Sequence, residues 1–300
     1  MISYALAFLA ALVNAVGDVL NRKASREAPA NLAFRFRLFA DLLHRPAWLT
    51  AAVLMLASFV LAAAALGTGQ LASVQLIVIL ELPLALVGSI VFLGGRLPFM
   101  DWAAICAMTA GVAGLLVLLD PRPGPSNAVS PAIWLFGSAA NAGVIVGLYI
   151  AAKAQRRAAG RAALLGLASG FGYGLTAAYT KGMASQFDAG GVGGVLSSWQ
   201  LYAAGAAGIV STWLLQNAYH AGTLAAAQPG ITLADPVIAT LWGTVAFGEQ
   251  VTRGWILLLA ALPLAAMTAG VLALSRSQAW ELTEAATRAA GSSRVSRHAE

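Results

Sequence analysis

The feature that most constrains this chain is a series of nine long apolar runs, separated by short segments that hold most of the charged residues. Runs of roughly 17 to 25 apolar residues match a helix that crosses the ~30 Å hydrocarbon layer of a bilayer. In chain order, runs 1 to 9 cover residues 2–20, 47–67, 70–93, 102–119, 131–151, 162–182, 199–219, 223–247 and 255–275. Hydrophobic residues make up 59% of the chain and charged residues 10%, too few to cover a soluble domain. The sequence predicts an all-α, polytopic integral membrane protein with nine transmembrane helices.

The distribution of Lys and Arg predicts the orientation of these helices. With the N-terminus outside, the outer side keeps only Arg122, Lys181 and Arg253, which leaves 15 of the 18 basic residues on the inner side. Cytoplasmic segments carry such an excess of basic residues. We therefore expect a multi-pass protein of the cytoplasmic membrane with its C-terminus inside, and basic loops of this kind give no reason to expect a nucleic-acid partner.

Four further features lie outside this pattern or within single runs. Residues 30–46 have the pattern of a helix lying in the inner interface, and a plain basic loop fits them equally well. Residues 276–300 are predicted to form a polar cytoplasmic tail. Run 1 has no basic stretch before it and no cleavage site, which predicts a retained helix. Cys106, the one cysteine, lies within run 4, where we expect a buried free thiol.

An internal repeat relates the two halves of the chain. Residues 70–102 align without a gap on residues 223–255, at a constant offset of 153. The matched pairs include Gln75 with Gln228, Pro83 with Pro236, Gly95 with Gly248 and Trp102 with Trp255. Apolar composition alone would match Leu and Ala, whereas a shared Gln, Pro and Trp in one register indicate a repeat.

The repeat pairs runs 1–4 with runs 6–9. Runs 1 and 6 end in NRKA and YTKG, with Lys23 and Lys181 in corresponding places, and AMTAGV occurs in runs 4 and 9, six residues out of the main register. Equivalent runs are five apart, an odd number, so the halves are predicted to lie inverted across the membrane. The predicted organisation is a first repeat over residues 1–119, a connector with run 5 over residues 120–161, a second repeat over residues 162–275, and the tail.

Three acidic residues inside the runs are the first candidates for a binding site: Asp18 in run 1, Glu81 in run 3 and Asp235 in run 8. A charge at the bilayer centre costs roughly 2.5 to 3.5 kcal/mol, so a functional role is the default hypothesis. Glu81 and Asp235 fall at similar depth in the two repeats, where a structural pair is the alternative. Asp18 lies near the end of its run, and a pairing with Arg22 one turn later explains it equally well.

Two prolines accompany the acids in runs 3 and 8. Pro83 and Pro236 each remove a helical hydrogen bond, and we expect them to free the carbonyls of Ile79 and Thr232. A carboxylate beside a free carbonyl offers the hard oxygen ligands that magnesium prefers, and equally a place for a substrate ammonium group. The alternative is that the prolines merely bend the helices for packing.

Further polar and small residues support or surround these candidates. Gln228 precedes Asp235 by seven residues on the same helical face, and Gln75 is its counterpart in run 3. Interhelical hydrogen bonds without a transport role are the alternative for both. The glycines of GLASGFGYG in run 6 predict close helix contacts. Glu249, at the end of run 8, is expected at the outer surface as a structural carboxylate paired with Arg253.

These features together resemble the drug/metabolite transporter superfamily, EamA type. The residues that carry the resemblance are NRKA, YTKG, GGRL and FGEQV at the ends of runs 1, 6, 3 and 8, followed by Trp102 or Trp255. Members usually have Gly-Glu at the end of the kinked helix, as Gly248 and Glu249 do here, whereas Arg96 replaces the acid in the first half. The resemblance implies an inverted-repeat secondary transporter. Members commonly have ten spans, and nine spans are more similar to the NIPA-type magnesium transporters of the same superfamily.

Enzyme chemistry has little support in the sequence. The three histidines, His44, His220 and His298, lie in loops or in the tail, and no HExxH motif, serine elbow, P-loop or dinucleotide fingerprint is present. We therefore expect neither an enzyme nor a cofactor.

The sequence predicts a secondary transporter that moves a small solute or ion by alternating access. The candidate binding residues are Glu81, Asp235, Asp18, Gln75 and Gln228, with Glu81 and Asp235 as candidate metal ligands. A NIPA-like carrier of magnesium or another divalent cation, a lipid flippase and a non-transporting scaffold are the alternatives. The expected partners are the substrate and the lipid bilayer, and a homodimer is left open.

Overall fold

A computed structural model describes residues 2–26, 46–93, 98–124, 129–221, 224–252 and 254–275. Within them lie twelve helices: α1 (Ile2–Arg26), α2 (Pro46–Thr68), α3 (Leu71–Val78), α4 (Glu81–Leu93), α5 (Phe99–Leu119), α6 (Pro131–Ala154), α7 (Ala158–Ala184), α8 (Phe187–Ser197), α9 (Trp199–Ala221), α10 (Leu224–Val245), α11 (Ile256–Leu259) and α12 (Ala261–Ser275). Three parts of the sequence predictions lie outside the described residues: residues 30–45 of the interfacial segment, the tail 276–300, and Arg253.

The prediction of an all-α chain is confirmed for the described residues. Each apolar run forms a helix or a pair of helices: run 3 is divided into α3 and α4, run 9 into α11 and α12, and α8 is an additional short helix. Three stretches are long and apolar enough to span a membrane: Leu71–Gly88, Phe99–Leu119 and Pro131–Ala154. Three shorter helical stretches are also apolar: Ile2–Gly17, Val53–Thr68 and Ala261–Leu274.

Many large apolar side chains lie on the outward faces of the helices. Only 11% of the apolar stretch of α6 is buried inside the protein, and Leu135 and Phe136 are among its exposed side chains. Lipid covers such faces in a bilayer, whereas water would leave a large apolar surface exposed. Cys106 lies on an outward face of α5, so the expectation of a buried thiol is wrong. An apolar run that faces lipid does not have to bury every side chain in the protein.

Helix α7 lies at the centre of the fold and packs most extensively against α10 and α9. The close contacts predicted for the glycines of run 6 are confirmed. A Cβ atom added to Gly170 would lie 2.7 Å from Ala234 Cβ, and one added to Gly174 would lie 2.7 Å from Ile238 Cβ. From the first contact to the second, the residue number increases in both helices, so α7 and α10 run parallel.

Helices α5 and α12 cross at the two copies of AMTAGV. A Cβ atom added to Gly111 in α5 would lie 2.8 Å from Met267 Cβ in α12. Reciprocally, a Cβ atom added to Gly270 in α12 would lie 3.0 Å from Met108 Cβ in α5. Each methionine therefore fills the space beside the glycine of the other copy, and the helices run antiparallel. The contact is reciprocal, as a local twofold axis requires.

We predict that Gly111→Ala and Gly270→Ala each lower the melting temperature of the purified protein in detergent. Overpacking typically costs about 1–3 kcal/mol, which exceeds the ~1 kcal/mol that alanine gains over glycine in a helix. Gly143→Ala in α6 is the matched control, since no atom lies within 4 Å of an added Cβ there. Equal melting temperatures for all three variants would contradict the tight crossing.

Candidate functional site

A break in run 3 rearranges the backbone hydrogen bonds between α3 and α4. The Leu80 N–H donates to the Ile77 carbonyl at 3.0 Å, and the Leu82 N–H donates to the Ile79 carbonyl at 3.2 Å. Both bonds reach three residues back rather than four, as in a 3₁₀ turn. The expectation that Pro83 frees the Ile79 carbonyl is therefore wrong, because Leu82 occupies it.

The carbonyls that lose their α-helical donors are those of Leu76 and Val78. In a continuous helix they would accept from the N–H groups of Leu80 and Leu82, which bond elsewhere at the break. Pro83 stands in the first turn of α4, where a missing N–H is tolerated. The break thus takes two backbone oxygens out of the helical ladder.

Gln75 in α3 and Asp235 in α10 meet near this break. Gln75 Nε2 donates to Asp235 Oδ1 at 3.4 Å. Gln75 is 9% exposed and Asp235 is half-buried. The two residues belong to different predicted repeats, so the hydrogen bond joins the two halves of the chain. Two of the five predicted binding residues are in direct contact.

The sequence predicted that Glu81 lies within one continuous helix over run 3. In the structure, Glu81 is instead the first residue of α4. It is half-buried, and the N-terminal end of a helix dipole favours a carboxylate there. Within the described residues, no group of three or more His, Cys, Asp or Glu side chains could hold a metal ion. A divalent cation held by Glu81 and Asp235 would therefore depend on backbone oxygens and water for its other ligands.

The remaining candidates lie along α1 and α10. Gln228 Nε2 donates to Thr232 Oγ1 at 3.3 Å, within α10. Pro236 follows Asp235 inside this helix, which remains helical from Leu224 to Val245. Asp18 lies in α1, and its side chain is not among the described parts of the chain.

A buried ion pair at the other end of α3 escaped the sequence analysis. Lys181 Nζ lies 2.5 Å from Glu249 Oε1, and the two side chains are 6% and 1% exposed. Lys181 Nζ also donates to the Gly69 carbonyl at 2.9 Å. The expectation of a surface carboxylate at Glu249 is wrong. Its cation comes from α7, 68 residues away in the chain.

The carboxylate of Glu249 also caps helix α3. The Leu71 N–H donates to Oε1 at 2.6 Å and the Ala72 N–H donates to Oε2 at 3.4 Å. The first N–H groups of a helix have no partner within it, and the dipole favours a negative charge at that end. One carboxylate therefore satisfies a buried ammonium group and two backbone donors.

The residues around Glu249 explain its position. Gly248 has a φ of 63°, a left-handed conformation that glycine adopts readily, and it reverses the chain after α10. The Glu249 N–H then donates to the Gly243 carbonyl at 2.8 Å. Gly243 leaves the space that the carboxylate occupies, since an added Cβ would overlap Oε2. The Gly-Glu sequence was visible in the chain, but the reversal that buries the acid was not.

A cluster of aromatic rings reaches this ion pair through Phe247. The rings are Trp134, Tyr179, Trp199, Trp242 and Phe247. The Trp134 centroid lies 5.4 Å from that of Trp242, and Lys181 Nζ lies 5.0 Å from the Phe247 centroid. A low local dielectric strengthens a satisfied charge pair and raises the cost of an unsatisfied one.

An apolar groove of 540 Å³ opens between α2, α7 and α9. Its lining includes Phe59, Leu201 and Ile209 and contains no charged residue. A lipid flippase that binds anionic headgroups would present a basic pocket to the lipid, and this groove has no basic residue in its lining.

Comparison with known proteins shows similarity over nearly the whole chain. An uncharacterized protein of Corynebacterium glutamicum is 26% identical over 284 residues, which cover 92% of this chain and 96% of that protein. No family model matches the chain, and no solved structure matches it. The similarity extends over nearly the whole of both chains but carries no functional information.

We predict that Lys181→Met destabilises the protein strongly, because it leaves the Glu249 carboxylate buried without its cation. Breaking a buried pair in this way costs about 3–5 kcal/mol. Adding Glu249→Gln to Lys181→Met should recover part of the loss, which a double-mutant cycle of thermal unfolding in detergent measures.

Arg122→Met is the matched control for this cycle. Arg122 forms an ion pair with Asp120 in which the side chains are 70% and 53% exposed, and exposed pairs contribute ~0–1 kcal/mol. If Arg122→Met and Lys181→Met lowered the melting temperature equally, the buried pair would not have the stabilising role assigned to it.

Proposed function

We propose that this protein is a membrane-embedded secondary transporter that moves a cation, or a small solute coupled to a proton, by alternating access. The hydrogen bond between Gln75 and Asp235 carries the proposal, since it joins the two halves of the chain beside a broken helix. In secondary transporters, the sites for substrate and coupling ion lie between inverted repeats at discontinuous helices, whose free carbonyls bind cations.

The directions of the helices support nine membrane crossings and an inverted repeat. Runs 6 and 8, which alternation makes parallel, form the parallel pair α7 and α10. Runs 4 and 9, which alternation makes antiparallel, form the pair α5 and α12. The reciprocal contacts of Gly111 and Gly270 there are those expected of a pseudo-twofold axis between the halves.

The positions of the loops support an orientation with the N-terminus outside, in the cytoplasmic membrane. The Arg122 N–H donates to the Gln250 carbonyl at 2.9 Å, which joins two loops that are both predicted to lie outside. The exposed side chains of Arg156, Arg157 and Arg161 lie at the opposite end of α7 from Lys181. Basic residues at that end agree with a cytoplasmic side.

We retain membership of the drug/metabolite transporter superfamily as a proposal. Its support is the FGEQV sequence, in which Gly248 reverses the chain and Glu249 enters the protein to cap α3. The corresponding GGRL sequence of the first half, at residues 94–97, lies outside the described part of the chain.

The composition of the site favours a singly charged ligand. Asp235 supplies one carboxylate and Gln75 supplies an amide, and the break after α3 begins about one turn beyond Gln75. Such a set suits a proton, a monovalent cation or a substrate ammonium group. Magnesium needs six oxygens in near-ideal octahedral geometry and would retain several waters here.

We predict that Asp235→Asn abolishes transport by the reconstituted protein. Proteoliposomes carrying trapped magnesium-sensitive and pH-sensitive dyes would report magnesium and proton flux in parallel. Asparagine keeps the size of the side chain but removes the charge that binds the ion, so we expect flux to fall at least about tenfold, the factor that corresponds to 1.4 kcal/mol of binding. Asp120→Asn, the same change at an exposed acid, should leave the flux unchanged.

The outcomes separate the possible ligands. Magnesium flux that depends on Asp235 would establish a divalent carrier, and proton flux that depends on it would establish coupling at this carboxylate. Flux that persists in Asp235→Asn would reject the site. Absence of both fluxes in well-folded wild type would reject a magnesium or proton carrier and leave a monovalent cation or a small organic solute to be tested.

A further inference from the structure

We propose that Lys181 and Glu249 form the outer gate of the transport pathway, and that this gate is closed in the present structure. The proposal rests on the proposed function, because a gate requires a pathway that opens alternately to the two sides. It extends that function by assigning a role to two residues outside the Asp235 site.

Helix α3 is held by carboxylates at two places, and both carboxylates come from one segment of the second half. Glu249, just after α10, binds the N–H groups of Leu71 and Ala72 at the start of α3. Asp235, within α10, accepts from Gln75 one turn further along α3. Since α3 is a single eight-residue helix, movement of its first turn away from Glu249 also changes the position of Gln75 relative to Asp235.

The gate closes a joint between the two halves. Gly69, Leu71 and Ala72 belong to the first half, whereas Lys181 and Glu249 belong to the second. The halves are also close just beside these residues: a Cβ atom added to Gly67 in α2 would lie 3.2 Å from Ala184 Cβ in α7. Small residues at this joint allow the closed halves to pack without a gap.

The distribution of charge makes opening of this joint energetically accessible. Lys181 and Glu249 both belong to the second half, so they remain paired when the first half moves away. At the gate, the polar contacts that must be released are those with the Leu71 and Ala72 N–H groups and with the Gly69 carbonyl. Water can replace those hydrogen bonds, whereas separation of the ion pair itself would leave isolated charges in a dry site.

The position relative to the membrane fits an outer gate. Lys181 is in the last turn of α7, and Glu249 follows α10 at the end where the loops of Arg122 and Gln250 pair. That end is the outside in the proposed orientation. Closure at this end leaves the Asp235 site separated from the outer solution by the ion pair and the aromatic cluster.

A cysteine reporter in α3 tests the gate without any knowledge of the substrate. Ser73 is fully buried, one residue beyond the capped N–H groups, and Ser73→Cys changes a single atom. With Cys106→Ala to remove the native thiol, the rate of labelling by a membrane-impermeant maleimide would be measured in nanodiscs, where both faces are accessible. Ala162→Cys, fully buried near the start of α7, provides the reporter at the opposite end.

The gate predicts that Lys181→Met with Glu249→Gln accelerates labelling of Ser73→Cys by about tenfold, because the closing bonds lose their charges. Labelling of Ala162→Cys should remain unchanged or slow down. Arg122→Met with Asp120→Asn, which neutralises an exposed pair at the same end, should alter neither rate. Glu249→Gln alone is the second variant if the double variant does not fold.

Every other pattern overturns the gate. Equal acceleration at Ser73→Cys and Ala162→Cys would show that the pair is a structural brace, and unchanged labelling at Ser73→Cys would show that it does not control access. Because labelling requires no flux, failure of the gate is distinct from failure of the transporter proposal. Labelling that responds as predicted while flux ignores Asp235→Asn would leave a moving joint without the proposed transport site.

Discussion

The arrangement of the two halves depends on the hydrogen bonds that the Glu249 carboxylate accepts. This carboxylate accepts hydrogen bonds from the first two N–H groups of α3 and from Lys181, in a place that water does not reach. A buried carboxylate with fewer partners would destabilise the fold, and a helix start without a cap would leave donors unsatisfied. Here the Glu249 carboxylate has Lys181 as its cation and also caps the start of α3. As a result, α3, α7 and the segment just after α10 meet at this carboxylate.

Close helix contacts then position the rest of the protein. In lipid, association depends on packing and on interhelical hydrogen bonds, and small residues allow backbones to approach. Gly170 and Gly174 bring α7 against α10, while Gly111 and Gly270 bring α5 against α12. Asp235 consequently faces α3 from a helix that α7 fixes tightly. The contact between Gln75 and Asp235 therefore lies between α3 of the first predicted half and α10 of the second.

The sequence was sufficient to predict an all-α chain and the place of most helices, because a long apolar run between charged segments favours a helix. The division of runs 3 and 9 and the short helix α8 were not predicted. The sequence also singled out Gln75 and Asp235 as polar residues within apolar runs, and the structure brings the two side chains into contact. The ion pair was missed because it depends on one left-handed residue, Gly248, and joins positions far apart in the chain. The break at Ile79 and Leu80 was missed as well, because Pro83 suggests a kink within a helix as readily as the first turn of a new one.

A distance measurement across the outer end would test the moving joint most directly. Spin labels at Thr68→Cys, at the end of α2, and Phe187→Cys, at the start of α8, lie on exposed residues of opposite halves. With Cys106→Ala, double electron–electron resonance should resolve two distances in lipid nanodiscs. Neutralising Lys181 and Glu249 together should increase the population of the longer distance. A single narrow distance that the neutral pair leaves unchanged would contradict alternating access at this joint.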